Sequence, residues 1–247
     1  VSDEQIVSGV LTLLEKAKTV AEGSGAIVLP AIEKLRSKLA GKKVVAIVSG
    51  RSERAQEAAA KFNIPVWSTD YTEVVRRPDV DLISISTPPY QHHAMAMAAL
   101  DAGKHVLLEK PMALTLDDAD AMIRACDSVG IRLFVVKQNR FNVPVVKLRE
   151  ALEQGRFGRM VLGTVRVRWC RTQEYYDQAP WRGTWAMDGG VLTNQASHHV
   201  DLLEWMLGDV DSVFAMSRTA LARIEAEDTA VVTLKFKSGA LGVIEAT

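Results

Sequence analysis

The sequence predicts an α/β protein in which a Rossmann-like domain with a doubly wound parallel sheet precedes an α+β domain with an antiparallel sheet. From residue 43 to 137, short apolar runs alternate with helical segments, a pattern typical of right-handed βαβ units. From about residue 145, the strands instead alternate apolar and polar residues, as half-exposed strands do. We expect the first domain to span 1–140, with 1–50 atypical. The second should span 141–247 and be incomplete at its C-terminal end, because the sequence stops within a predicted strand.

The elements of the first domain follow from local patterns. Buried parallel strands are predicted at 43–48, 81–86, 105–108 and 132–136, because each run is short, apolar and largely β-branched. Helices are predicted at 52–62, 92–102 and 115–129, and two more within residues 1–39. Thr115 is a suitable N-cap, and Gly103 is a suitable stop signal.

The second domain has a different pattern. Alternating strands are predicted at 161–169, 212–216, 230–236 and 241–245. Between the first two of these, a helix led by Gly189 and Gly190 is expected to run to Leu207.

Composition excludes several classes of function. Thirty basic residues balance 30 acidic ones, so net charge gives no argument for nucleic acid or a membrane surface as a partner. Cys126 and Cys170 lie far apart, and no His, Cys, Asp and Glu set has metal-ligand spacing, so we expect no metal. No signal peptide and no run long enough to span a bilayer are present. We expect a soluble cytoplasmic protein that binds a small molecule.

Lys110 and His198 are the predicted catalytic residues. Lys110 follows the strand at 105–108, at the carboxyl end where α/β sheets place ligands, and His198 lies near a predicted helix start. A lysine and a histidine that converge on one cleft can move the proton of an alcohol that is being oxidised. Asn194 can hydrogen-bond a hydroxyl but cannot exchange a proton. The alternatives are a surface lysine and a buried structural histidine.

The cofactor signals in the first fifty residues are weak. Gly23 and Gly25 form part of a dinucleotide motif whose third glycine is replaced by Val28, although a helix N-terminus there could hold a phosphate. Ser49, Gly50 and Arg51 follow the second predicted Rossmann strand, where an acidic residue would hold the ribose of NAD. A serine and an arginine there favour the phosphate of NADP, so we expect NAD or NADP.

Three motifs in order carry a family resemblance: Thr87-Pro88-Pro89, His105 to Pro111, and Gly189 to Asp201. On them, residues 51–247 resemble the Gfo/Idh/MocA oxidoreductases. The resemblance implies an NAD(P)-dependent dehydrogenase with Lys110 and His198 as its proton-transfer residues. It also implies a cofactor site with these members: Thr87, Pro88, Glu109, Lys110 and Pro111.

Within the family, three segments look most like UDP-N-acetyl-2-amino-2-deoxyglucuronate dehydrogenases: 137–140, 181–185 and 194–199. This implies oxidation at C3 of UDP-N-acetylglucosaminuronic acid, for bacterial polysaccharide biosynthesis. It also implies a homo-oligomer if the second-domain sheet is complete enough. Lys137, Arg140 and Arg182 could bind the uronate or the diphosphate, and Trp181 could stack on the substrate. Each could equally be structural or a solvated surface residue.

The first fifty residues resemble a different family. Residues 1–4, 22–26 and 41–50 are similar to the end of the catalytic domain of a PLP-dependent threonine dehydratase. This resemblance predicts a chimera joined near Ser49. It leaves two alternative functions, an impaired scaffold that binds cofactor poorly and a PLP-dependent ammonia-lyase fragment.

Overall fold

The computed structural model describes residues 44–247. The helices predicted within 1–39, together with Gly23 and Gly25, lie outside this range. Among the described helices, none is long and apolar enough to cross a membrane.

The first part of the described chain alternates strands and helices. The strands are β1 (Ala46–Val48), β2 (Val66–Ser68), β3 (Leu82–Ile85), β4 (His105–Leu108) and β5 (Leu133–Val135). The helices are α1 (Ser52–Phe62), α2 (Tyr71–Val75), α3 (His92–Asp101) and α4 (Leu116–Val129). β1 pairs with β2, and β4 lies between β3 and β5, all in parallel. The predicted Rossmann-like fold is confirmed, with the described parallel strands in two groups.

β4 is the buried centre of this part. Val106 and Leu108 are fully buried and pack with Leu100 of α3 and Met122 of α4. The predicted cap of α4 is present, since the Thr115 hydroxyl accepts a hydrogen bond from the Asp118 amide at 3.1 Å. Helices packed against short buried strands fix the loops at the strand ends, where Thr87, Lys110 and Lys137 lie.

The second part is a four-stranded sheet with one long helix against it. Its strands are β6 (Leu162–Val167), β7 (Val210–Arg218), β8 (Thr229–Phe236) and β9 (Leu241–Ala246), in the order β6-β9-β8-β7. Its helices are α5 (Val143–Glu153), which leads into it, α6 (Gln173–Asp177) and α7 (Ser197–Leu207). Leu203 and Leu207 of α7 pack on the sheet residues Val232, Phe236 and Ile244.

The prediction of an antiparallel sheet is wrong for one strand pair. β7–β8 and β8–β9 are antiparallel, but β6 pairs with β9 in parallel, so the sheet is mixed. Alternating polarity reports that one sheet face is exposed, and it does not report the direction of the neighbouring strand. The long connection through α7 lets β6 meet β9 in the same direction.

The predicted helix over 189–207 is wrong in its first eight residues. The chain forms turns there, Gly189 has a φ of +82°, and the helix begins only at Ser197. A positive φ is accessible to glycine and is incompatible with helix propagation. The turns place Asn194 ahead of α7, where it faces the first part of the molecule.

Candidate active site

Lys110 and Asn194 join the two parts of the molecule. Lys110 follows β4, and its Nζ donates to the Asn194 carbonyl at 2.9 Å and to the Asn194 Oδ1 at 3.2 Å. These residues are 84 positions apart in the chain. The two sequence motifs that carry the predicted chemistry therefore meet at one point, between the strand ends and the start of α7.

His198 lies beside this contact and is buried, with 6% of its surface exposed. Burial above all, and then the charges of Lys110 and Lys137, lower the pKa of His198 to about 4. Its Nε2 lies 3.0 Å from the Nε2 of Gln138. His198 is thus a neutral hydrogen-bonding group at physiological pH.

Asp188 anchors the far side of Asn194. The Asn194 Nδ2 donates to Asp188 Oδ1, and the Gly183 amide donates to Asp188 Oδ2 at 2.8 Å. Burial raises the pKa of Asp188, while the hydrogen bonds from Gly183 and Asn194 and the positive charge of Arg182 oppose that shift. A continuous chain of hydrogen bonds therefore runs from Gly183 through Asp188 and Asn194 to Lys110.

The predicted anion-binding residues fall into two groups. Arg140 donates through two nitrogens to the carboxylate of Asp201 at 2.7 and 2.8 Å, and its guanidinium lies 5.0 Å from the Trp205 ring centroid. Lys137 Nζ lies 3.6 Å from the same carboxylate. Both residues stay predicted substrate ligands, but the fork of Arg140 already binds a carboxylate of the protein.

Arg182 and Trp181 lie in the second part. Arg182 donates to the Tyr175 hydroxyl at 2.6 Å, and its guanidinium lies 4.4 Å from the Tyr175 ring centroid and 4.6 Å from that of Trp181. Arg182 also lines a cavity of about 750 Å³ together with residues of α6 and of 223–225. Their predicted contact with substrate stays a prediction.

The predicted cofactor residues of the first part lie at adjacent strand ends. Thr87 and Pro88 follow β3, and Glu109 to Pro111 follow β4; the Glu109 amide donates to the Ile85 carbonyl at 3.0 Å. The Lys110–Pro111 peptide is cis. His92, which is buried, lies between these loops, with its ring nitrogens 2.7 Å from the Pro111 carbonyl and 2.9 Å from the Thr87 carbonyl.

Ser49, Gly50 and Arg51 lie at the end of β1. The Arg51 amide donates to the Ser49 hydroxyl at 3.3 Å, and a β-carbon on Gly50 would meet no atom of residues 44–247 within 4 Å. These three residues follow the carboxyl end of a parallel strand, where α/β sheets place dinucleotides, and they stay predicted cofactor residues.

Sequence reasoning missed Gln138, Asp188 and the partner role of Asp201. Gln138 follows β5, so the rule that singled out Lys110 also applies to it. Asp188 precedes two glycines with no local signal of its burial. Its role depends on Gly183 and Asn194, which only the folded turns bring to it.

The candidate site lies at the carboxyl ends of parallel strands, and the start of a helix from the second part borders it. This arrangement defines a Rossmann-type dinucleotide-binding protein. A model described as "Oxidoreductase family, NAD-binding Rossmann fold" matches residues 18–137, and the GFO/IDH/MocA C-terminal domain model matches residues 145–247. The chain belongs to the GFO/IDH/MocA oxidoreductase family.

Solved structures of two relatives are similar to this chain. The WlbA dehydrogenase of Chromobacterium violaceum, in complex with NADH and UDP-GlcNAcA, has a TM-score of 0.82 and 38% identity, over 91% of this chain and 65% of its own. The WlbA dehydrogenase of Bordetella pertussis, with the same ligands, has a TM-score of 0.79 and 42% identity, over 88% and 68%.

A curated relative acts on a different class of molecule. The myo-inositol 2-dehydrogenase of Thermotoga maritima is 32% identical over 206 residues, which are 81% of this chain and 59% of that protein. The chain thus spans about three fifths of the length of that relative.

The comparisons give no support to a threonine dehydratase segment in residues 1–50. The family match begins at residue 18, and the D-apiose dehydrogenase of Paraburkholderia graminis aligns over 98% of this chain at 26% identity. The predicted chimera and the ammonia-lyase fragment therefore have no support, and poor cofactor binding by this chain stays an alternative to test.

Proposed function

We propose that this protein is an NAD-dependent dehydrogenase that oxidises C3 of UDP-N-acetylglucosaminuronic acid or a close relative of that sugar nucleotide. The observation that carries the proposal is the contact of Lys110 with Asn194, beside His198 and at the carboxyl edge of the parallel sheet. The likeness to two dehydrogenases crystallised with NADH and UDP-GlcNAcA supports this substrate class. Such a substrate would place the enzyme in the cytoplasm, in polysaccharide biosynthesis.

The first part would bind the cofactor. Thr87, Pro88 and Glu109 to Pro111 would form the wall beside the nicotinamide, and Ser49 to Arg51 would lie near the adenosine ribose. Arg51 leaves NADP as the second cofactor to test, whereas the NADH complexes of the relatives favour NAD.

Lys110 would accept the proton of the sugar hydroxyl. When bound, NAD supplies the hydride acceptor: the electron pair of the C–H bond leaves with the hydrogen, and the carbon becomes a ketone. Once Lys110 has lost its own proton, its amine would take the O–H proton, which balances the oxidation. Asn194 holds the amine in position from one side. His198, neutral because of its burial, would hydrogen-bond the same hydroxyl and orient it.

Arg182, Lys137 and Trp181 would bind the anionic and ring portions of the substrate. Arg182 is better placed than Arg140 for an incoming phosphate or carboxylate, because Arg182 borders the 750 Å³ cavity and Arg140 is paired with Asp201. A guanidinium is suited to paired anionic oxygens.

The second-part sheet would also pair two copies of the chain. On its outer face Phe214 and Met216 of β7 are 67% and 69% exposed, and Val231, paired with Met216, is 51% exposed. Adjacent exposed apolar residues of this kind favour a protein partner, and we propose a second copy.

A parallel assay of cofactors and sugars tests the proposal. The purified chain is titrated with NADH and NADPH by fluorescence, and turnover is then followed with UDP-N-acetylglucosaminuronic acid, UDP-N-acetylglucosamine and myo-inositol. We expect NADH to bind more tightly, and turnover to require the uronate. UDP-N-acetylglucosamine is the matched control, because it differs only in having a hydroxymethyl group in place of the carboxylate. Turnover of myo-inositol without turnover of either sugar nucleotide would contradict the proposed substrate class.

A further inference from the structure

We infer that Asp188 is a positioning residue for Lys110: it holds the Asn194 amide in the one orientation that points an oxygen at the lysine amine. Asp188 acts on Lys110 through Asn194, which bonds to both residues. The inference rests on the proposed role of Lys110 for its effect on turnover, but the orientation of Asn194 is measurable without that role.

The geometry requires an acceptor at both ends of the residue 188 side chain. One carboxylate oxygen accepts from the Gly183 amide at 2.8 Å, and the other accepts from Asn194 Nδ2. A carboxylate accepts at both oxygens, whereas an amide accepts at one end and donates at the other. An ionised Asp188 therefore fixes the Asn194 NH₂ toward itself, which leaves Asn194 Oδ1 to accept from Lys110 at 3.2 Å.

Burial makes this arrangement stringent. Asp188 is 1% exposed, so a hydrogen-bond donor placed there without an acceptor could not bond to water instead. The groups that face its carboxylate are the Gly183 amide, the Asn194 amide, the two cations Arg182 and Lys110, and Tyr176 of α6. Burial raises the pKa of Asp188, and both cations act against this effect. The charge of Asp188 is thus coupled to the Lys110 amine through space as well as through Asn194.

A purely structural role is the competing explanation. Asp188 could matter only because it accepts from Gly183 and closes the turn that begins at Arg182. In that case residue 194 is irrelevant to the effect of a substitution at position 188. Exchanging the two side chains separates these explanations.

Three variants and one control test the inference. In Asp188→Asn, the new amide places an NH₂ against either Gly183 or Asn194. If it faces Asn194, that side chain must turn its own NH₂ toward Lys110. We expect kcat to fall by about 10- to 100-fold, the cost of a misplaced reacting group. Asn194→Ala, which removes the intermediate amide, should give a loss of the same size and keeps the test available if Asp188→Asn does not fold.

The double variant Asp188→Asn/Asn194→Asp restores every hydrogen bond. The new amide at position 188 accepts from Gly183 and donates to the new carboxylate at position 194, whose second oxygen accepts from Lys110. We expect plateau kcat to return to within about threefold of the wild-type value. The acid limb of the pH profile should move to higher pH, because a carboxylate now contacts the amine directly. Asp127→Asn is the matched control, because it removes one charge at an exposed position on α4. It should leave kcat and the pH profile unchanged.

The outcomes are distinct. A double variant as impaired as Asp188→Asn, or an Asp188→Asn or Asn194→Ala variant with wild-type kcat, would overturn the inference. If the wild-type chain turns over no sugar nucleotide, the proposed function fails. The inference is then tested separately by competitive acylation of Lys110, with peptide mass spectrometry used to measure the pH at which the amine becomes reactive. We expect Asp188→Asn to lower the pH at which Lys110 becomes reactive and Asp127→Asn to leave it unchanged. An unchanged pH in Asp188→Asn would overturn the inference.

Discussion

The two edges of the candidate active site are held in place by different kinds of contact. The first edge, at the ends of β3 and β4, continues the backbone hydrogen bonds of a parallel sheet up to Glu109. The second edge, from Gly189 to Asp201, is held by three carboxylates: Asp188, Asp201 and Glu227. A sheet tolerates most side-chain changes at its end, whereas a turn held by buried acids depends on each of them.

Glu227 illustrates how the second edge is held. Its Oε1 accepts from the Leu192 amide at 3.1 Å, and its backbone carbonyl accepts from the Val191 amide at 2.8 Å. The carboxylate packs directly against the α-carbon of Gly190. The segment that carries Asn194 is therefore held in place by a residue that lies just before β8.

The largest effect is expected where the two edges meet. Lys110→Met keeps the length of the side chain but removes the amine, so kcat should fall by about 10²- to 10⁴-fold, the usual contribution of a proton-transfer group. NADH binding and the circular dichroism spectrum should persist, because the sheet and His92 hold the first edge without the Lys110 amine. Lys147→Met, at a side chain that is 70% exposed, is the control. A Lys110→Met enzyme within tenfold of wild-type kcat would remove Lys110 from the mechanism.

Local pattern was enough to predict most of the first part. The helix at 52–62 and the strand at 105–108 have the predicted bounds, and Thr115 caps its helix as expected. The signals for these elements, apolar runs and caps, lie within the elements themselves. Three-residue β2 was missed, because so short a strand is stabilised mainly by its pairing with β1.

The second edge could not be predicted to the same depth. His198 does lie at the start of α7, but the turns of 189–196 were predicted as helix. From outside the segment, Glu227 accepts hydrogen bonds from the Val191 and Leu192 amides, and no local pattern connects it to them. The parallel pairing of β6 with β9 was not predicted for the same reason, because contacts between residues distant in sequence determine strand direction.

Gly190→Ala tests whether the second edge depends on its buried acids. A β-carbon at position 190 would overlap the Glu227 carboxylate, which is buried and bonded to Leu192. Overpacking against a group that cannot move away costs about 3 kcal/mol, so urea unfolding should show a loss of that size in the free energy of unfolding.

Gly163→Ala is the matched control for this prediction. There the nearest atoms to the added carbon would be the methyl ends of Leu203 and Leu207, at 2.7 and 2.8 Å, which can shift. We expect a loss of less than about 1 kcal/mol, because flexible side-chain ends accommodate a methyl group. Equal losses for the two variants would show that the carboxylate contact at Gly190 is not special.

The smallest effect concerns the pH dependence of stability at the second edge. The pKa of His198 is lowered from 6.5 in the unfolded chain to about 4 in the folded protein, mainly by burial. The unfolded chain therefore takes up the proton first as the pH falls. The contribution of the neutral ring to stability is complete above pH 6.5 and is lost as the pH falls toward 4. Between pH 7 and 5 this amounts to about 2 kcal/mol.

His198→Gln removes this titration and should flatten the stability profile by that amount, measured by urea unfolding at each pH. His93→Gln is the control, because His93 lies near the surface beside Asp118 and its side chain is 38% exposed. It should keep most of the wild-type slope. If His198→Gln kept the full slope, the proton would be taken up by another group, and His198 would have no cause to remain neutral beside Lys110.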